Sequence, residues 1–335
     1  MAGKTREVSS PLLDNIRAQP QALRRVAEYQ LGHGRDALLR SAGLLRSAKR
    51  VVFSGMGASL FACIPLACEL GAEVIDSSEL LYFRQSFLQP GTAVVLVSRS
   101  GESVEVTKLL PILKQRKCVV IGVTNAPGSP LASQADQAII LNSPADQLVA
   151  IQTYTATVLA LLLLGDPEVR DLWSTLDLFE RQLHAWTEAE YKDFLDSNAP
   201  VYLLGRGPAM GSVHEGALLF HETAKASAVG MSAAQFRHGP VEVVDVAFRA
   251  IVFGTAAETA TLDSALAADL RRMGAKVFWL GPDVAPPRFA PLFEIVPCQL
   301  LAFRLAEIRG IRAGEFRWAP AITRSETGFT FAKSQ

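Results

Sequence analysis

Short aliphatic runs recur at 50–54, 73–75, 93–97, 117–122 and 138–141, with helix-like stretches between them at 58–70, 102–115 and 148–164. This alternation predicts βαβ units, and so a parallel sheet covered by helices on both faces. Val94-Val95-Leu96-Val97 shows no polar alternation, as expected of a strand buried on both sides. The pattern pauses over a charged, helix-like connector at 166–197. It restarts with runs at 201–205, 250–254, 276–281 and 293–296, then a helix at 299–309. "RVVFSGMGAS" at 50–59 lines up with "PVYLLGRGPA" at 200–209, and "CVVIGVT" at 118–124 with "KVFWLGP" at 276–282. One α/β unit duplicated at a period of about 150 residues accounts for both halves. The expected organisation is a helical segment at 1–48, interrupted at Pro20, a first α/β subdomain at 49–165 and a connector at 166–198. A second subdomain with an extended tail carrying Trp318, Arg324 and Lys333 fills 199–335.

Two facing sheets would hold a ligand between them, outside the carboxyl ends of the strands. The balance of 33 Lys and Arg against 33 Asp and Glu gives no sign of a nucleic-acid or anionic-membrane partner. The most apolar stretch, Leu148 to Leu164, contains Gln152 and three threonines. Its purely apolar part is shorter than the roughly 20 residues a membrane span needs, so a buried helix is expected. Cys63, Cys68, Cys118 and Cys298 form no CxxC pair, and the first ten residues show no apolar signal-peptide core. The expected compartment is the reducing cytoplasm.

Both halves open with strand–Gly-x-Gly. A dinucleotide fingerprint needs a third glycine, where Leu60 and Met210 stand instead. No cofactor is therefore expected. "SRSGES" at 98–103 is more specific, with three hydroxyls around one glycine straight after a buried strand. Free N–H groups and the dipole at a helix start make such a loop an anion site. The same residues also suit a plain helix cap, with Ser98 or Ser100 as N-cap and Glu102 or Ser103 behind it. Both readings stand on the sequence.

"GSVHEGALLFHETAKAS" at 211–227 carries Glu215 and Glu222 on one helix face, with His221 between them, and "AAQFRHGPVEVVD" follows with His238. A glutamate and a histidine suit proton transfer near neutral pH. Equally, Glu222 could pair with Lys225 on a solvated face, and His238 could cap a turn. No HxxxH or HxH spacing occurs, so no metal site is expected.

Taken in order, "GMGASLFA", "SRSGESVEV", "VTNAPGSPLASQAD", "LLGRGPAMGSVHEGALLFHETA", "QFRHGPVEVV" and "AITRSETGF" resemble the double sugar-isomerase (SIS) family. The chain is similar to the isomerase domain of glucosamine-6-phosphate synthase, and the resemblance covers about residues 50–330. The resemblance implies two flavodoxin-like subdomains in a homodimer and a sugar-phosphate ligand. It places phosphate binding on Ser59, Ser98, Arg99, Ser100 and Ser103, the base on Glu222, and a ring-opening histidine on His238, donated by the neighbouring subunit. Further substrate contacts fall on Gly57, Val149 and Arg324.

The departures from the family are specific. Leu219 and Arg324 stand where the synthase has lysines, Ala58 where it has a threonine, and Arg99 where it has a glutamine. Arginine stays charged and cannot act readily as a base or Schiff-base amine, so a lysine-assisted mechanism is not expected. The sequence begins Met1-Ala2-Gly3 and shows no glutaminase half. The expectation is therefore an isomerase or deaminase of an amino-sugar 6-phosphate, working by C1–C2 proton transfer. A fructosamine-6-phosphate deglycase is the alternative, and a non-catalytic sugar-phosphate sensor the alternative of another class.

Overall fold

The computed structural model describes residues 10–191, 193–195, 198–318 and 322–327. Lys333 lies outside them. Three helices come first: α1 (Pro11–Arg17), α2 (Gln19–Leu31) and α3 (Arg35–Ser47). Pro20 occupies the first turn of α2, where it lacks nothing and pre-sets the helical φ, so it starts this helix rather than breaking one.

The first sheet comprises β1 (Arg50–Gly55), β2 (Glu73–Asp76), β3 (Thr92–Val97), β4 (Val119–Thr124) and β5 (Gln137–Ile140), all parallel, in the order β2-β1-β3-β4-β5. Its helices are α4 (Ala58–Phe61), α5 (Ile64–Leu70), α6 (Ser77–Tyr82), α7 (Val104–Gln115), α8 (Pro130–Gln134) and α9 (Gln152–Gly165). The single helix expected over 58–70 is two pieces, because Pro65 in the first turn of α5 favours a fresh start.

After α10 (Leu172–Glu188) the second sheet repeats the order, as β7-β6-β8-β9, with no fifth strand among the described residues. Its elements are β6 (Val201–Gly205), α11 (Met210–Ala224), β7 (Ala228–Ser232), α12 (Ala233–Phe236), β8 (Arg249–Phe253), α13 (Ala260–Arg272), β9 (Lys276–Leu280) and α14 (Ala290–Ile308). Two sequence expectations fail here. The run at 293–296 belongs to α14, which is buried at all but three of its 19 positions. A short apolar run cannot be told from part of a buried helix by periodicity, and Pro291 and Pro297, which bracket this one like strand ends, lie in the first turn and the interior of the helix. β7 went unread because Gly230 and Ser232 interrupt its pattern and most of it is only half-buried.

Burial alternates along the strands. In β3, Ala93, Val95 and Val97 join the central core, while Val94 and Leu96 face an outer cluster with Leu109 and Leu113 of α7. In β8, Ile251 and Phe253 join that same central core, while Ala250 and Val252 face an outer cluster with Leu266 and Leu270 of α13. The two sheets thus share one core, and each has its own helices on the far side. The stretch expected as a buried helix is α9, buried along almost its whole length. Among the described helices only Pro287–Ile308 is long and apolar enough to cross a membrane, and 94% of its apolar window is buried inside the fold.

Candidate active site

In the first sheet β1 has β2 on one side and β3 on the other, so the chain leaves adjacent strands in opposite directions. A crevice opens at such a switch point, beyond the carboxyl ends of the two strands. The loops there are Gly57–Ser59 and Ser98–Ser103. They line a cavity of about 280 Å³ together with Leu148, Tyr154, Leu218 and Glu222.

The loop after β3 owes its shape to Gly101. Its φ is +64°, and a Cβ there would stand 2.1 Å from Ser129 Oγ. The Gly101 N–H donates to Ser98 Oγ at 3.1 Å, and the Glu102 N–H donates to Ser100 Oγ at 3.2 Å. The N-cap residue of α7 is Ser103, not Ser98 or Ser100, and its side chain makes no capping bond. The Ser103 hydroxyl lies 3.2 Å from that of Ser98 instead. The plain-cap reading therefore fails, and hydroxyls remain at the cavity wall. Gly57, with φ +51° and ψ −130°, makes the turn that brings Ser59 in from β1.

Glu222 enters from the other half of the chain, on the last turn of α11. Burial pushes its carboxyl up to about 7, against the opposing pull of Lys225 and Arg99. The helix C-terminus also disfavours negative charge there. Lys225 ends α11 in a left-handed conformation, and its ammonium donates to the Glu222 backbone carbonyl. Glu215, two turns earlier, lies wholly inside the core, where burial drives its carboxyl up.

Gly57, Ser59, Ser98, Arg99, Ser100, Ser103 and Glu222 are thus brought together, and the other named residues are not. Val149 is fully buried, although its neighbours Leu148 and Ala150 reach the cavity. Arg324 is exposed and pairs with Glu102. His238 is exposed at the end of a turn after α12, away from the cavity wall. Leu219, where the resemblance would put a lysine, is buried. Sequence reasoning missed Tyr154, Thr157, Phe316, Ile322 and Thr323, all of which line the cavity. The last three come from the tail, whose Thr323 carbonyl accepts from the Val104 N–H at 3.0 Å. Among the described residues no group of three His, Cys, Asp or Glu side chains is placed to hold a metal ion.

The serine loop, and the strand and helix that carry it, fall within the stretch that matches a known family. Residues 44–165 match the SIS domain family. Across 89% of its length the chain is also similar to glutamine–fructose-6-phosphate aminotransferases (isomerizing). It is 29% identical to that of Aeropyrum pernix and 28% identical to that of Pyrobaculum aerophilum. The chain spans about half the length of these relatives, 54% and 55% respectively. Its fold matches the C-terminal domain of glucosamine-fructose-6-phosphate aminotransferase from Francisella tularensis (TM-score 0.79, 20% identity, 92% of this chain, 98% of that one). It also matches tagatose-6-phosphate ketose/aldose isomerase from Escherichia coli (0.77, 22%, 90% and 95%). A third match is glucosamine-6-phosphate deaminase from Thermotoga maritima (0.72, 20%, 90% and 96%). The SIS resemblance read from the motifs is borne out, and so are the two parallel-sheet subdomains.

Proposed function

We propose that this protein is an enzyme of sugar-phosphate metabolism that moves a proton between C1 and C2 of an amino-sugar 6-phosphate. One observation carries the reading: a carboxyl poised at about 7, that of Glu222, opens into the same cavity as the hydroxyls of Ser59, Ser98, Ser100 and Ser103. A binding-only sensor needs the hydroxyls and Arg99, but gains nothing from a carboxyl tuned to neutral pH. Proton transfer does gain, because a base works best with its pKa near the working pH.

In this reading the phosphate is held by the 98–103 loop and Ser59. That remote binding energy orients the open-chain sugar. The Glu222 carboxylate takes the proton from C2 of the aldose amine and returns it to C1. The nitrogen is left as an imine at C2, water replaces it, and ammonia and a ketose 6-phosphate depart. The aminotransferase relatives and the deaminase neighbour support this substrate class. His238 would open the ring from a second subunit of a homodimer, which fits its exposure and its absence from the cavity lining. Leu219 offers no amine, so the carboxylate acts without the lysine that the synthase carries at that place on the helix.

The test is an NMR time course with glucosamine 6-phosphate in deuterated water. The expected result is fructose 6-phosphate carrying deuterium at C1, with release of ammonia. The Glu222→Gln protein should show no exchange yet still broaden the phosphorus line. Undiminished exchange in that variant would remove Glu222 as the base.

A further inference from the structure

The second sheet has a switch point of its own. β6 lies between β7 and β8, as β1 lies between β2 and β3. The loops that leave it match those of the first sheet in length and turn. Gly57 and Gly207 follow β1 and β6 at the same place, with φ +51° and +55°. Six residues separate β3 from α7, and six separate β8 from α13. Each of these loops ends on a hydroxyl residue, Ser103 or Thr259, that makes no side-chain capping bond.

The second frame lacks the other hydroxyls. Gly254 and Ala256 stand in the places of Ser98 and Ser100. A Cβ on Gly254 would stand 2.0 Å from the Trp279 ring, so that place has no room for a side chain. A negative charge is already there instead. Asp263, in the first turn of α13, is fully buried. One of its carboxylate oxygens pairs with Arg206, the residue before Gly207, and the other accepts from the Thr259 hydroxyl at 2.9 Å. An arginine, a hydroxyl and the positive end of a helix are what an oxyanion from solution would meet. Arg206 and Thr259 also line a cavity of about 570 Å³, larger than the inner cavity beside the serine loop, at about 280 Å³.

We propose that the second switch point is an anion cradle that the chain fills with its own Asp263 carboxylate, so that the wild-type protein takes no phosphate there and the emptied cradle takes a small carboxylate from solution. This does not depend on the C1–C2 reading above. The filled cradle has a mechanical consequence as well. Arg206 lies in the turn that launches α11, the helix that ends at Glu222. Its pairing with Asp263 ties that turn to α13 with no ligand bound. Removing one partner of a pair so little exposed leaves the other charge uncompensated.

Chemical rescue tests the cradle. Asp263→Ala removes the carboxylate and leaves a gap the size of formate, reached from the cavity that Arg206 and Thr259 line. Thermal unfolding is followed for the wild-type protein, for Asp263→Ala, and for the double variant that adds Arg206→Leu. Each is measured in sodium chloride and in sodium formate at the same ionic strength. In chloride, Asp263→Ala should melt about 5 °C or more below the wild type. Formate should return at least half of that loss, while the other two proteins melt alike in both salts. If Asp263→Ala does not fold in chloride, refolding from urea in formate becomes the readout, with the double variant as control. No recovery in formate, or the same recovery in the double variant, would overturn the cradle. The wild-type protein gives a check that needs no variant. Equilibrium dialysis against inorganic phosphate should find at most one phosphate per chain, and two would overturn the proposal as well.

Discussion

Replacing Glu222 with glutamine should make the protein more stable, and only above a certain pH. In the folded chain burial holds this carboxyl at about 7, against an ordinary value of 4.5. Well below the lower value the group is neutral in both folded and unfolded states, and it costs nothing. Between the two values the unfolded chain ionises while the folded one keeps its proton, so the folded state loses ground. Above the upper value the full penalty applies, about 3 kcal/mol at 1.36 kcal/mol for each pH unit between the two values. Stability associated with Glu222 is thus present below about pH 4.5 and lost as pH rises through about 7. A glutamine has no such dependence. Urea unfolding of both proteins at about pH 4 and about pH 8 measures the difference directly from the midpoints. Glu294 is present in both proteins and cancels, and Glu215, which Glu222 helps to raise, changes in the same direction when Glu222 is replaced. The expected gain is near zero in acid and about 3 kcal/mol in mild alkali, alongside loss of turnover. An equal difference at both pH values would refute the claim that burial sets this carboxyl.

Gly101→Ala forces a left-handed conformation on alanine and drives its Cβ against Ser129, so a loss of about 2–4 kcal/mol is expected. Phosphate binding should weaken with it, as seen by calorimetry with inorganic phosphate; an unchanged melting temperature would show that the loop has another conformation open to it. If His238 acts across a dimer, Glu222→Gln and His238→Ala proteins should each be inactive. Co-refolded in equal amounts, they should recover about a quarter of wild-type activity, since half of the dimers carry one intact site. No recovery, with mixed dimers demonstrated, would place His238 in its own subunit or outside the reaction.

What could be read from the sequence follows how local the determining physics is. β3 and the loop after it are legible because a strand buried on both faces needs a continuous aliphatic run, and the turn that follows needs Gly101 and hydroxyls within six residues. Glu222 is legible as a candidate but not as a site. Nothing within its helix says that it meets a loop 120 residues earlier, and its alternative pairing with Lys225 looks equally good in sequence. Lys225 does reach back to it, but through the Glu222 backbone carbonyl, which no side-chain spacing rule foresees. α14 was misread because a helix apolar on every side carries no 3.6-residue signature. The cavity of about 590 Å³ beside the end of α11 is the least legible part of all. Phe316, Arg317 and Trp318 come from a stretch without periodicity, and only the folded chain sets them against the end of α11.

The two helix ends that meet at the inner cavity have opposite electrostatic character, and together they explain why two cations stand beside Glu222. α7 begins at the serine loop, so its positive end faces the anion site. α11 ends at Glu222, so its negative end, added to burial, raises that carboxyl. In the absence of ligand, Arg99 and Lys225 both hold the carboxyl down. Arg99 belongs to the phosphate loop, however, and a bound phosphate dianion would neutralise it. Glu222 would then rise further and become the stronger base, but a larger share of it would be protonated and idle at neutral pH. Lys225 lines a second cavity that Glu222 also borders, of about 590 Å³, and is not among the residues that line the cavity with the serine loop. On the proposed reading it is the cation that still favours the ionised carboxylate once the sugar is bound. A base at the boundary of two cavities can thus be strengthened from one side while its charge is protected from the other.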